Sequence, residues 1–204
     1  RITRRIYILM ALDKTITASL IRQSPKIARV QVQKQGKAAF QKIKNNMIVE
    51  FLNHPVTREL KQGINASNIS GTLGGTTNLF SFIGFNSDSD PTKDIENVLQ
   101  TARFEFAKVR LKTIELSIYI PDPKDVFNAT PMPWAPGRSW AKGIESGISG
   151  LGYYLKVTRD NSRSGLGIQS SRRVRKGGVK FKNTQYISAL LKKYRKEFEN
   201  LQLT

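Results

Sequence analysis

The side chains that could carry out catalysis in this chain are few. The single histidine, His54, precedes a proline at an expected helix end, and no nucleophile or base can be assigned to it as a partner. Two aspartate pairs, Asp88 with Asp90 and Asp122 with Asp125, could hold magnesium in a nuclease, but each pair lies beside a proline in a turn or capping context. Cysteine is absent, which excludes disulfides and thiolate sites. The sequence therefore predicts a protein that is not an enzyme, with no cofactor and no metal site.

Charge is the strongest signal in the composition. The 204 residues include 34 Lys and Arg against 15 Asp and Glu, a net charge of +19. Residues 1–62 carry a net +10, residues 63–155 a net −1 and residues 156–204 a net +10. Two basic ends around a nearly neutral centre favour a polyanionic partner or an acidic protein surface. The alternative is a basic protein whose charge serves only solubility.

One dense basic cluster could contact phosphates. It comprises Arg172, Arg173, Arg175 and Lys176. Guanidinium groups bind phosphate oxygens in pairs, and such binding weakens as salt rises. No zinc finger, RRM signature or helix-turn-helix accompanies the cluster, so any nucleic-acid contact is expected to ignore base sequence. A solvated basic surface without a partner is the competing interpretation.

Residues 133–155 hold both tryptophans of the chain and are rich in glycine. Tryptophan is over-represented at binding hot spots, which favours a subunit interface in this segment. The candidate interface residues are Trp134, Arg138, Trp140, Glu145, Tyr153 and Tyr154. The alternative puts both tryptophans in the core of a single domain.

Local signals within this segment also predict a short helix. Ser139 can cap a helix from Trp140 to Ser146, and Gly147 can end it. Glu145 is an isolated acid in this stretch, and we expect an Arg or Lys as its partner, from this chain or from a neighbouring subunit.

Two long amphipathic helices are predicted, one towards each end of the chain. The first begins at Pro25 and ends at 53–55, with a short helical turn over 56–62 that stops at Gly63. Its apolar stripe consists of Phe40, Ile43, Met47 and Phe51. The second runs from a cap at Asn183 or Thr184 through Leu201. Its apolar side consists of Ile187, Leu190, Leu191, Tyr194 and Phe198.

The middle of the chain predicts shorter elements. The Gly-rich loop 63–78 is long for a compact domain, so we expect it to reach a neighbouring subunit or to order only on assembly; a disordered surface loop is the alternative. A strand is expected over 79–85, and a helix from Asp90 to about Phe106. The segment 109–120 predicts one strand with a bulge near Thr113.

These elements favour an α+β fold with a mainly antiparallel sheet, a long N-terminal helix and a C-terminal helix. Segments 152–158 and 165–170 are expected to pair as a hairpin. The expected organisation is a basic helical region, 1–62, and an α+β body, 63–204, within one domain overall. The apolar run 6–12 is too short to span a bilayer, so no membrane contact is expected.

Several segments resemble small virion proteins of tailed bacteriophages. They read HPVTREL (54–60), LFSFIGF (79–85), W-x-x-GRSW (134–140), GIESGISGLGYYL (143–155) and SRSGLGIQ (162–169). The chain is similar here to the neck and tail-completion group, the head–tail connectors, over residues 54–91 and 131–187. The resemblance implies an α+β subunit of a ring, without catalysis, that contacts connector, portal-proximal and tail proteins. It implies a place in the virion, assembled in the host cytoplasm, with non-specific contact to packaged DNA as a further option.

The sequence thus leads to a first hypothesis and an alternative. The first is a structural protein of a phage neck that acts as an oligomeric ring. The alternative is a nucleic-acid-binding protein of the ribosome-associated type that does not recognise base sequence, which predicts tight binding at low salt and steep weakening as salt rises. A magnesium-dependent nuclease using Asp122 and Asp125 ranks last.

Overall fold

The computed structural model describes residues 5–11, 25–73, 77–109, 113–133, 135–147, 154–155, 168–169 and 182–201. Helices and small antiparallel sheets are combined in it, which confirms the predicted α+β class with a long N-terminal helix and a C-terminal helix. The helices are α1 Pro25–Asn53, α2 Pro55–Lys61, α3 Leu79–Ile83, α4 Thr92–Gln100, α5 Pro123–Asn128, α6 Trp140–Ser146 and α7 Ile187–Glu199, with a 3-10 turn at Gly63–Asn65. The strands are β1 Arg5–Ala11, β2 Arg103–Val109, β3 Thr113–Tyr119, β4 Pro131–Met132, β5 Ala135–Ser139, β6 Tyr154–Leu155 and β7 Ile168–Gln169.

The chain divides into two compact units, each built from separate segments. The first unit contains Arg1–Val49, Leu99–Asp122 and Leu190–Thr204. The second contains Glu50–Val98 and Pro123–Ala189. The division of the chain at residue 62, expected from the charge pattern, stays a prediction.

The first unit contains a three-stranded antiparallel sheet in the order β1-β3-β2. β1 pairs with β3 without interruption, from Arg5 opposite Tyr119 to Ala11 opposite Thr113. β2 pairs with the other side of β3, and its register shifts between Phe104 and Phe106 because β2 has one extra residue there.

Helix α1 packs closely on this sheet because one of its buried positions is a glycine. A Cβ built at Gly36 would lie 3.1 Å from the ring of Phe104 and 3.5 Å from Leu116. Glycine costs a helix interior about 1 kcal/mol relative to alanine, so it is used here for close approach. One turn further, Phe40 is buried between the rings of Phe104 and Phe198, at centroid distances of 6.4 Å and 5.2 Å.

The second unit has an aromatic core around α3 and α6. Phe80 and Phe85 contact each other at 5.4 Å between ring centroids, and Trp140 meets the Phe85 ring edge-on at 5.6 Å. Two short antiparallel ladders belong to this unit, β4 with β5 and β6 with β7. The second ladder confirms the hairpin predicted from 152–158 and 165–170 over the four of its residues that the structure describes.

The predicted strand at 79–85 is wrong, because residues 79–83 form the one-turn helix α3. The Asn78 side chain caps it by accepting a hydrogen bond from the Ser81 N–H. Gly84 ends it in the left-handed conformation, at φ 86°. A short apolar run fits a buried helix as well as a strand, and the cap and the glycine decide for the helix.

Three other predicted assignments are also wrong. Helix α4 ends at Gln100 rather than near Phe106, which lies in β2 and is 36% exposed. The single bulged strand over 109–120 is instead parts of two paired strands, β2 and β3. Residues 5–11, assigned to a helical region, form the strand β1.

Candidate functional site

His54 is a structural cap. It precedes α2, and its Nδ1 accepts a hydrogen bond from the Val56 N–H at 3.3 Å. Its ring lies 4.8 Å from the ring of buried Tyr186, whose hydroxyl shares a hydrogen bond with Thr57 at 2.8 Å. Burial lowers the pKa of His54, while a hydrogen bond with the backbone of Gln185 and the charge of a nearby glutamate raise it. The imidazole is therefore held neutral, as an acceptor in the cap.

Protonation of His54 should weaken the fold as pH falls. Its pKa is lowered in the folded state, so the folded chain binds fewer protons than the unfolded chain below the unfolded value near 6.5. This contribution is fully present above about pH 6.5 and is lost as pH falls through the folded pKa. We expect the urea midpoint to fall between pH 7.5 and pH 5. In His54→Asn, which keeps a cap acceptor but does not titrate, the urea midpoint should fall by less over the same pH range.

The test compares how steeply the urea midpoint depends on pH in the unmodified chain and in His54→Asn. The chain has one histidine, so the difference between the two proteins isolates its titration. Equal dependence of the midpoint on pH in both proteins would contradict the assignment. His54→Ala, which removes the acceptor, should cost about 1 kcal/mol at pH 7.5.

Two of the acids considered for magnesium chemistry, Asp90 and Asp122, have structural partners in the described part of the chain. Asp90 accepts hydrogen bonds from the N–H and the hydroxyl of Thr92 at the start of α4, as predicted for a cap. Asp122 pairs with Arg195 at 2.9 Å. Among the described residues, no three histidine or acidic side chains form a group that could hold a metal ion.

Glu145 has a partner of a different kind from the one expected. Its two carboxylate oxygens accept hydrogen bonds from the Ser188 N–H at 2.7 Å and from the Ser188 hydroxyl at 2.6 Å. Ser188 lies in the first turn of α7, where N–H groups lack helical acceptors and the helix dipole favours a negative charge. These contacts show Glu145 as a cap for the C-terminal helix, where the sequence led us to expect an Arg or Lys.

The described part of the Gly-rich loop 63–78 is fixed by its own chain, contrary to the expectation that it orders only on assembly. Glu59, fully buried in α2, accepts hydrogen bonds from the N–H groups of Ser70 and Leu79 at 2.8 and 2.7 Å. Asn78 donates to the carbonyls of Ile64 and Ala66, both at 2.9 Å. Two buried polar side chains, Glu59 and Asn78, therefore hold the described part of this loop in place through hydrogen bonds to backbone groups. No pattern in the sequence marked Glu59 beyond its place in a short predicted helix.

Trp140 lies in the core, as in the alternative interpretation. Its side chain is 2% exposed, and its backbone N–H donates to the Thr130 carbonyl at 2.9 Å. It is the first residue of α6, which Ser139 caps as predicted. The proposed interface role of Trp140 is therefore corrected to a packing role.

The structure describes only some of the remaining candidate residues. Arg138 is exposed on β5. Tyr154 pairs through its backbone with Gln169. Outside the described residues lie Trp134, Tyr153, Arg172, Arg173, Arg175 and Lys176.

A basic face on α1 stands out among the described surfaces. Residues 25–49 contain six basic residues and no acidic residue. Lys34, Lys37 and Lys42 are exposed. A fourth lysine, Lys44, instead donates to the carbonyls of Gln100 and Ala102 at the end of α4, and partial burial lowers its pKa. The signal for this face in the sequence is the absence of acidic residues from 25–49. The net charge of residues 1–62 as a whole does not show it.

A groove of about 670 Å³ runs beside this face in the first unit. One wall is the α1 surface and the other is the end of α7. The lining residues are Gln35, Ala38, Ala39, Lys42, Ile43, Asn46, Glu197, Asn200 and Leu201. Small and carboxamide side chains dominate, and the opposite charges of Lys42 and Glu197 limit any net field inside it.

Comparisons with protein families, curated proteins and solved structures gave no match to this chain. No helix in the described ranges is both long enough and apolar enough to cross a bilayer.

Proposed function

We propose that this chain is a non-enzymatic structural protein of a tailed-phage virion, forming a ring at the neck and joining head to tail. Its partners would be further copies of itself and neighbouring connector, portal-proximal and tail proteins. The proposal rests on the resemblance of the quoted segments together with one structural observation. The similar stretches, 54–91 and 131–187, both fall inside the second unit, Glu50–Val98 and Pro123–Ala189.

That coincidence supports the proposal because a resemblance over separate stretches has meaning when the stretches fold together. The aromatic contact between Phe85 and Trp140 joins one stretch to the other. The hydrogen bond between Thr72 and Thr184 does the same at 3.2 Å. The unit therefore behaves as one module that a family of subunits could share.

The placement of the candidate catalytic groups agrees with the proposal. His54 and Asp90 cap helices, Asp122 is in an ion pair, and Glu145 binds a helix N-terminus. Side chains occupied in this way are poor general acids or bases, because using them would cost the contacts that they make.

The mass of the purified protein tests the ring. One chain weighs 23.0 kDa, and we expect light scattering at physiological salt to give a larger closed assembly, seen as rings by negative-stain microscopy. A species of 23.0 kDa at tens of micromolar would overturn the ring. Magnesium-dependent DNA cleavage that disappears in Asp122→Asn/Asp125→Asn would overturn the non-enzymatic part.

A further inference from the structure

The exposed side of α1 carries a set of positive and carboxamide side chains that we call the lysine face. It consists of Lys34, Lys37, Gln41, Lys42 and Asn45, all of them exposed. Helical geometry brings them together, since positions three and four apart lie next to each other on a helix surface. No acid occurs in α1 before Glu50, so nothing on the same stretch of helix neutralises the three ammonium groups.

The dimensions of this face fit a nucleic-acid backbone. Lys34 and Lys42 are separated by about 12 Å along the helix axis, at 1.5 Å per residue. A duplex carries one negative charge per about 1.7 Å of its axis, so the same length offers about seven phosphates. The Gln41 amide donates to the Asn45 side-chain oxygen at 2.8 Å, which orients the Asn45 amide group. Carboxamides beside lysines are typical donors to phosphate and sugar oxygens.

The chemistry of the face is less suited to a protein partner. Cores of protein interfaces are enriched in aromatic side chains and depleted in lysine. The lysine face has no aromatic side chain. The exposed apolar residues beside the face are small aliphatic ones, Ala38 between its lysines and Val30 and Val49 beyond its two ends, the last two 68% and 55% exposed. Interfaces with DNA are more polar and more positive than those with protein, as this face is.

Other charges in the first unit have to be counted as well. On α7, Glu197 lines the groove with Lys42, and Glu199 is exposed at the last position of the helix. Lys192 and Lys196 are exposed on the same helix and offset these acids. The part of the face formed by Lys34 and Lys37 does not line that groove.

We propose that the lysine face of α1 binds the phosphodiester backbone of duplex nucleic acid without reading its sequence. This site is distinct from the basic cluster 172–176, and it does not rest on the proposed place in a virion. Lysine ammonium groups would contact phosphates one by one, and the released counterions would drive binding. Contacts from lysine ammonium groups to phosphates carry no information on base sequence, so binding through this face should be equal for different duplex sequences.

Salt dependence of DNA binding tests the site. The full chain and Lys34→Gln/Lys37→Gln/Lys42→Gln would be titrated with a labelled 30-bp duplex by fluorescence anisotropy, from about 50 to 200 mM KCl. Three lost phosphate contacts should make the slope of log affinity against log salt shallower by about 2.7. The affinity advantage of the unmodified chain should therefore shrink by about 40-fold across that range.

Two further variants make the result decisive. Lys61→Gln/Lys93→Gln/Lys142→Gln removes the same charge from exposed lysines on α2, α4 and α6, and should leave the slope within about one contact of the unmodified value. Lys34→Arg/Lys37→Arg/Lys42→Arg should bind as the unmodified chain does. Glutamine is a good helix former, and equal circular dichroism spectra would show that α1 is retained.

Each other outcome overturns the site. Equal slope changes in the two glutamine variants would mean that net charge acts, and not the lysine face. An unchanged slope in the α1 variant would place DNA binding elsewhere. Loss of binding to phosphatidylserine vesicles in the α1 variant, with DNA binding unchanged, would assign the face to anionic lipid. Light scattering on the same samples reports the ring separately, so the two proposals fail independently.

Discussion

Replacing Phe198 by alanine is expected to lower the free energy of unfolding by about 3–5 kcal/mol. Phe198 is fully buried, and its ring stacks on that of Phe40 with centroids 5.2 Å apart and planes at 27°. The substitution removes the transfer free energy of the ring and leaves a cavity that the helix α1 and the sheet cannot close. Folded domains are stable by only about 5–15 kcal/mol, so this is a large fraction of the total.

Urea unfolding followed by circular dichroism measures the loss from Phe198→Ala. The midpoint should fall by at least about 1 M, given slopes of about 1–3 kcal/mol per molar for small proteins. Phe198→Leu retains most of the volume and should lose less than half as much. Val30→Ala, at a position 68% exposed in α1, should change stability by no more than about 0.5 kcal/mol. Equal losses in Phe198→Ala and Val30→Ala would contradict the buried stack.

Glu59→Ala is the second substitution with a large expected effect, about 3 kcal/mol. Both oxygens of this buried carboxylate accept backbone hydrogen bonds, from Ser70 in the loop and from Leu79 in α3. Alanine leaves both N–H groups without that acceptor, and each unsatisfied buried group costs about 1–3 kcal/mol. The loop and α3 should lose protection from hydrogen exchange first, since Glu59 links them to α2.

Two variants control for charge and for shape at Glu59. Glu59→Gln keeps one acceptor oxygen and most of the volume, so its loss should lie between those of the unmodified chain and Glu59→Ala. Glu199→Ala removes an equal charge from an exposed position of α7 and should change stability by no more than about 0.5 kcal/mol. A loss in Glu199→Ala as large as that in Glu59→Ala would mean that net charge, and not the buried contacts, governs the result.

Elements with complete local signals could be predicted from the sequence. Helix α6 has a serine cap, an apolar face and a terminal glycine, and it was predicted with its bounds, Trp140–Ser146. The apolar sides of α1 and α7 follow helical spacing, and their large residues, among them Phe40 and Phe198, are buried. In these places, propensity, capping and burial all favour the same conformation.

Elements fixed by distant partners could not be predicted from local pattern. β1 has no alternation of apolar and polar residues, and only its pairing with β3 makes it a strand. No glycine or proline marks the change from helix to strand after Gln100, so the apolar spacing was extended too far. For the candidate site, a lone acid such as Glu145 shows its charge in the sequence, but the N–H and the hydroxyl from which it accepts hydrogen bonds belong to Ser188, 43 positions away in another helix.

The pairing of β1 with β3 constrains the order in which the chain can fold during synthesis. The two strands are separated by roughly one hundred residues, a long-range contact of the kind that slows folding. The second unit is complete once Ala189 has left the ribosome, whereas the first still lacks its final segment from Leu190. β1 can pair only after β3 has been made, roughly one hundred residues later, so this apolar strand stays unpaired and open to aggregation over that interval.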